Sequence, residues 1–141
     1  MATEDTVKRT LDAFNRHDAA AFAAQYAPDA VVYDPMYPQP LKGRDAIRKD
    51  MEDFFTAFPD IQFKVSSIMA KGDTGAFEGQ ATGTHTGPIA GPAGTIPGTN
   101  RRIEMPAAFF VRINDQGLLT EERRYMDMAG MMHQLGLMPG S

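Results

Sequence analysis

Two apolar spacings alternate along the chain, and the point where one gives way to the other divides it. Val7, Leu11 and Phe14 recur at helical intervals. They predict a first helix running to about Arg16, with Thr3-Glu4-Asp5-Thr6 as a capping, acid-rich start. His17-Asp18 breaks it, and Asp18 is placed to cap a short second helix whose buried face is Phe22 and Tyr26. Ala27-Pro28-Asp29 ends that helix, and Ala30 to Asp34 reads as a β-branched strand. Pro35, Pro38 and Pro40 then exclude regular structure. Lys42-Gly43-Arg44-Asp45 leads into the strongest helix, whose stripe is Ile47, Met51, Phe54, Phe55 and Phe58. Pro59-Asp60 stops it.

From Ile61 onward the period shortens towards two. Ile61 to Met69 is a strand, Lys71-Gly72-Asp73-Thr74-Gly75 a hairpin turn, and Ala76 to His85 the returning strand. Residues 87–99 (GPIAGPAGTIPGT) read as a loop that neither helix nor strand tolerates, and a loop this long marks a lid, a rim or a tether. Ile103 to Ile113 and Leu118 to Asp127 are two further strands joined by Asn114-Asp115-Gln116-Gly117, and Met128 to Gly136 closes as a short apolar helix. Helices first, then an antiparallel meander, then a short helix define an α+β fold.

The last strand carries the most polar pattern. Alternation puts Glu122, Arg124 and Met126 on one face and Glu121, Arg123, Tyr125 and Asp127 on the other. Neither face is apolar. One of them lines a polar-bottomed pocket, packs on another subunit, or both.

Composition narrows the partners. At 141 residues the chain fits one domain with a real core, and 43% hydrophobic with 23% charged residues is ordinary for a soluble globular protein. A net charge of −4 argues against nucleic acid or an anionic membrane as partner. The lack of cysteine removes disulfides, thiolate metal sites and cysteine nucleophiles. No basic, long apolar N-terminal segment or bilayer-length apolar run is seen, so cytoplasmic residence is the default expectation.

Helix–helix–strand, an amphipathic helix, a four-strand meander and a terminal Gln-Leu-Gly together resemble the SnoaL-like branch of the NTF2-like cone fold. The matching pieces are Ala13-Phe14-Asn15, Ala27-Pro28-Asp29, Asp34-Pro35, Gly43, Ala57-Phe58, Gly83-Thr84-His85-Thr86-Gly87, Arg112-Ile113 and Gln134-Leu135-Gly136. They follow one another in family order over nearly the whole chain. The resemblance implies helices packed on a curved antiparallel sheet enclosing an apolar cavity, no metal or organic cofactor, and a homodimer joined through the sheet. It also implies an apolar polyketide-type or polycyclic carbonyl substrate. In the family's cyclases an Asp on the last strand, a His on the preceding strand and an Asn near the first strand line the cavity. Aligned on Gln134-Leu135-Gly136 and Arg112-Ile113, those positions fall on Arg124, Phe109 and Asp34. The cyclase acid–base pair is therefore replaced.

Asp34, after an apolar strand and before a proline, is the first choice for a base, or else a turn aspartate. Arg124 does not release its proton, and is a candidate for binding a carbonyl or enolate oxygen. Glu122, Glu104 and Glu78 are candidate second carboxylates, or ion-pair partners of Arg101, Arg102, Arg112 and Arg123. His85 is either a proton shuttle or a strand-end hydrogen-bonding residue. Tyr33, Tyr37, Phe109, Phe54 and Met51 are the candidate ligand contacts, with core packing as the alternative for the two tyrosines and for the helical pair. Three scattered histidines give no metal-binding spacing. Cyclase- or isomerase-like acid/base chemistry, hydroxylation of aromatic polyketides, and non-catalytic binding of a hydrophobic small molecule are the three functions these residues leave open.

Overall fold

The computed structural model describes residues 2–91 and 94–138. Helices α1 (Ala2–Asn15), α2 (Ala19–Ala23) and α3 (Arg44–Ala57) pack on a six-stranded sheet. Its strands are β1 (Tyr26–Tyr33), β2 (Leu41–Lys42), β3 (Gln62–Lys71), β4 (Thr74–Thr84), β7 (Arg102–Ile113) and β8 (Leu119–Met126). The order across the sheet is β2-β1-β8-β7-β4-β3. A two-stranded ribbon, β5 (Ile89–Gly91) and β6 (Gly94–Ile96), lies apart from it, and α4 (Met128–Gln134) follows β8. The fold is α+β with the core between the helices and one sheet face, as expected.

Several local expectations are corrected. Thr3 and Thr6 do not cap α1; they lie inside it and are fully buried. Their hydroxyls donate instead to the carbonyls of Gly72 and Gly117, both at 2.7 Å. Those glycines sit at the tips of the β3–β4 and β7–β8 hairpins with positive φ, so one helix face pins two turns. Asp18 does cap α2, its carboxylate accepting from the Ala21 amide. Tyr26 is not part of that helix. It opens β1, and its ring still meets Phe22 at 5.3 Å between centroids.

Ala27-Pro28-Asp29 likewise belongs to β1 rather than to a helix end. Pro28 is tolerated there because the pairing with β8 is irregular between Tyr26 and Val31, so no ladder hydrogen bond is lost. This β1–β8 pairing is parallel, one exception in an otherwise antiparallel sheet. Residues 87–99 are not wholly irregular. Ile89 is buried in the core and Ile96 packs against it, and these β-branched residues hold the β5–β6 ribbon. Pro92 and Ala93 of that stretch lie outside the described residues. The amides of Thr86 and Gly87 both donate to the Ala57 carbonyl, fixing the ribbon to the end of α3. No helix among the described residues is long and apolar enough to cross a membrane.

Asn15 ties the helix layer to the sheet. Its amide nitrogen donates to the Phe63 carbonyl at 3.1 Å, and its side-chain oxygen accepts from the Phe63 amide at 2.8 Å. Replacing Asn15 by Ala leaves both backbone groups of Phe63 unpaired on that side. A loss of about 1–3 kcal/mol is expected, read as a lower urea midpoint with an unchanged slope.

Candidate active site

Strand alternation in β8 sends Glu122 and Arg124 inward and leaves Glu121, Arg123 and Tyr125 outside. Inside, Arg124 is 6% exposed and is surrounded by carboxylates from three parts of the chain. Its Nε donates to Glu122 Oε2 at 2.5 Å. Its Nη1 donates to both Asp34 Oδ2 at 2.9 Å and Asp50 Oδ2 at 2.8 Å. Each carboxylate also accepts a second donor on its other oxygen. Tyr26 donates to Glu122 at 2.7 Å, the Met36 amide to Asp34 at 2.8 Å, and Tyr37 to Asp50 at 2.5 Å. All six carboxylate oxygens therefore have partners. Arg124 Nη2 is buried and has none.

Burial opposes the charged guanidinium, but Glu122, Asp50, Tyr26 and Asp34 outweigh it and hold Arg124 protonated well above its usual range. Tyr26 is pushed up by burial and then by the charge of Glu122, so it stays a neutral donor. Tyr37 is raised for the same two reasons, burial and its bonded Asp50.

This polar cluster lines part of a cavity with about 90 Å³ of free space, several times the roughly 10–15 Å³ that admits one water. The helices supply Leu11, Phe14, Phe22, Met51 and Phe54 to its wall. The sheet supplies Phe63, Phe77, Phe109, Met105 and Met126. Phe109 stacks on Phe77 at 4.7 Å and lies opposite Arg124 in the β7–β8 ladder. Among the described residues, no group of three or more His, Asp or Glu side chains is arranged to hold a metal ion.

The expected residues thus divide. Asp34, Glu122 and Arg124 come together, and Phe109, Phe54 and Met51 line the cavity. Tyr37 touches the cluster through Asp50. Tyr33 faces outward, 38% exposed, under the Arg123 guanidinium at 4.3 Å. Glu104 and Glu78 are exposed and outside the cluster. His85 is fully buried but does not line the cavity. Its Nδ1 accepts from the Thr99 amide at 3.3 Å and lies 3.0 Å from the Thr99 hydroxyl, and its ring packs on Phe58 at 5.3 Å.

Asp50 escaped the sequence reading. Its signal was a carboxylate inside the apolar stripe, three residues after Ile47 and four before Phe54.

The SnoaL-like polyketide cyclase family matches residues 4–135. The chain belongs to that family. Among solved structures, this SnoaL-like chain is similar to AclR, a candidate hydroxylase from Streptomyces galilaeus, with a TM-score of 0.82 and 28% identity over 99% of this chain and 83% of AclR. It is also similar to IdmH, a candidate polyketide cyclase from Streptomyces antibioticus, with a TM-score of 0.77 and 30% identity over 95% of this chain and 98% of IdmH. A protein from Catenulispora acidiphila with a ketosteroid isomerase-like fold superposes with a TM-score of 0.79 at 18% identity, over 96% of this chain and 95% of that one. That last likeness shows the fold alone. No curated protein matches the chain.

Two outcomes follow from the buried charges. Arg124→Met strands three carboxylates, so stability at neutral pH should fall by about 3–5 kcal/mol; an unchanged urea midpoint would contradict the cluster's buried pairing. Burial lowers the pKa of His85 below the usual value of about 6.5. Between its folded value and about 6.5 the unfolded chain binds more protons, so this stabilisation is complete above that window and is lost as the pH falls through it. His85→Gln should flatten the loss of urea midpoint seen on going from about pH 7.5 to about pH 5; the same slope in both proteins would show that His85 plays no part in it.

Proposed function

We propose that this protein is an enzyme that removes a proton from carbon beside a carbonyl, in an apolar polyketide-type or polycyclic substrate. The observation that carries this reading is the unpartnered Nη2 of Arg124, a residue that lines a phenylalanine-rich cavity together with Asp34, Asp50 and Glu122. The apolar walls take the ring system. The carbonyl oxygen accepts a hydrogen bond from Nη2, and a neighbouring carboxylate takes the proton. The electron pair of the broken C–H bond moves onto that oxygen as an enolate, which Arg124 holds. Attack of the enolate carbon on a second carbonyl of the same molecule closes a ring, and the proton returns to the new alkoxide. All of these roles are filled by groups of the chain itself. We further propose that the enzyme acts in the cytoplasm as a homodimer, joined through the outer sheet face where Phe110 and Tyr125 are each 53% exposed.

Likeness to AclR favours a second reading, in which the same enolate adds dioxygen to give a hydroperoxide. An external two-electron reductant of the thiol or reduced-nicotinamide class then releases the second oxygen as water to leave the hydroxylated product. Both begin with the same proton transfer. They separate at the next bond.

Mass spectrometry of an anthracycline-type polyketide ester incubated with the protein, with and without air, tests both. Acid/base ring closure or isomerisation predicts a product of unchanged mass and new retention time in either atmosphere. Two added oxygens only in air, reduced to one when a thiol reductant is also present, would select hydroxylation. An unaltered ester that nonetheless raises the melting temperature would favour a binding protein over either enzyme.

A further inference from the structure

The three carboxylates around Arg124 differ in what holds their outer oxygen, and that difference separates their roles. Glu122 is bonded to the hydroxyl of Tyr26, which is 0% exposed, so a proton arriving there has no route out. Asp34 is bonded to the backbone amide of Met36. An amide N–H donates but does not pass a proton on. The same Asp34 side chain builds a turn, with the Asp34 carbonyl also accepting from the Tyr37 amide at 3.1 Å. Pro35 lies within that turn and Pro38 follows it, so φ is fixed on either side of Tyr37. Asp34 thereby presents Tyr37 to the site.

Asp50 alone is bonded to a group that both accepts and donates and that reaches the surface. The Tyr37 hydroxyl donates to Asp50 Oδ1, and Tyr37 is half-buried on the proline-rich rim. We propose that Asp50 is the proton acceptor of the reaction, that Tyr37 relays its proton to solvent, and that Asp34 is a positioning residue. This rests on the carbonyl proton-transfer reading above.

The transfers balance. The substrate C–H bond breaks, its proton goes to a carboxylate oxygen of Asp50, and its electron pair goes to the carbonyl oxygen held by Arg124 Nη2. The Asp50 carboxylic acid exchanges this proton with solvent through Tyr37, one proton leaving by the Tyr37 hydroxyl as another enters, and then gives a proton back to the enolate carbon or to the new alkoxide. Asp50 returns to a carboxylate and Tyr37 to a phenol. Burial and the Asp50 charge keep Tyr37 from ionising, so it serves as a conduit and not as the base.

The test uses the full chain and 2-tetralone, an apolar bicyclic ketone with acidic protons beside its carbonyl, in D2O. Exchange of those protons is followed by NMR, and ketone binding is followed separately by thermal shift. Wild type should exceed buffer. Asp50→Asn should lower the protein-catalysed rate at least about a hundredfold. Asp34→Asn, whose side-chain oxygen can still accept from the Met36 amide but whose bond to Arg124 is weakened, should lower it measurably and by much less. Tyr37→Phe should bind ketone normally yet exchange about tenfold more slowly, and added imidazole should restore it, since a small base replaces the relay. Imidazole should not restore Asp50→Asn. If Asp34→Asn abolishes exchange and Asp50→Asn does not, or if Tyr37→Phe exchanges like wild type, the assignment is overturned while the carbonyl reading stands. If wild type binds 2-tetralone and catalyses no exchange, the carbonyl reading itself falls, and the assignment with it.

Discussion

The buried guanidinium of Arg124 is the constraint on which the site depends. It joins β8 to the rim after β1 and to the middle of α3, so its three carboxylate partners come from three separate pieces of chain. Burying charges in this way seldom adds net stability, because the loss of hydration offsets most of the attraction. An apolar residue of similar volume would pack the same space at lower cost. What the ion cluster does provide is a fixed geometry: each carboxylate oxygen is held by a directional donor, and one nitrogen of a cavity-lining guanidinium is left without a partner. In a native interior an unpartnered buried donor is rare enough to need an explanation. A ligand oxygen supplies one.

The fold around the cluster was readable where local periodicity carried the information. The alternation of Glu121 to Met126 put Glu122 and Arg124 on one face, and the ladder pairs them across from Val111 and Phe109 as that alternation requires. The α3 stripe and the two long hairpins were likewise visible, because their apolar spacing is set by backbone geometry. Tyr33 was also decidable in principle. It follows Val32, and a buried valine at one position of a strand sends the next side chain outward.

Other features were hidden for physical reasons. The parallel contact of β1 with β8 joins residues about ninety positions apart, and no local pattern encodes it. Residues 87–99 look irregular because glycine and proline dominate, yet Ile89 and Ile96 are enough to anchor a three-residue ribbon against the core. Asp50 was passed over because a stripe counted only by its apolar members omits the polar residue within it. Tyr37 lies in a loop with no period at all, where direction is set by one Asp34 turn and the neighbouring prolines.

Charge counting explains why a guanidinium in such company can still assist an enolate. Three carboxylates face one cation, so the cluster carries two excess negative charges. A bare enolate added to that surplus would be repelled. Proton transfer from the substrate to a member of the cluster avoids the problem, because one carboxylate becomes neutral as the enolate appears. The total charge of the site is then unchanged; it moves from the Asp50 oxygen across to the carbonyl oxygen, with Arg124 between them. The guanidinium loses attraction to one partner as it gains attraction to the other, so little rearrangement accompanies the step. The surplus would also disfavour a substrate that arrives as an anion. A neutral carbonyl compound in the apolar cavity meets neither penalty, and the arrangement becomes favourable only as its proton begins to leave.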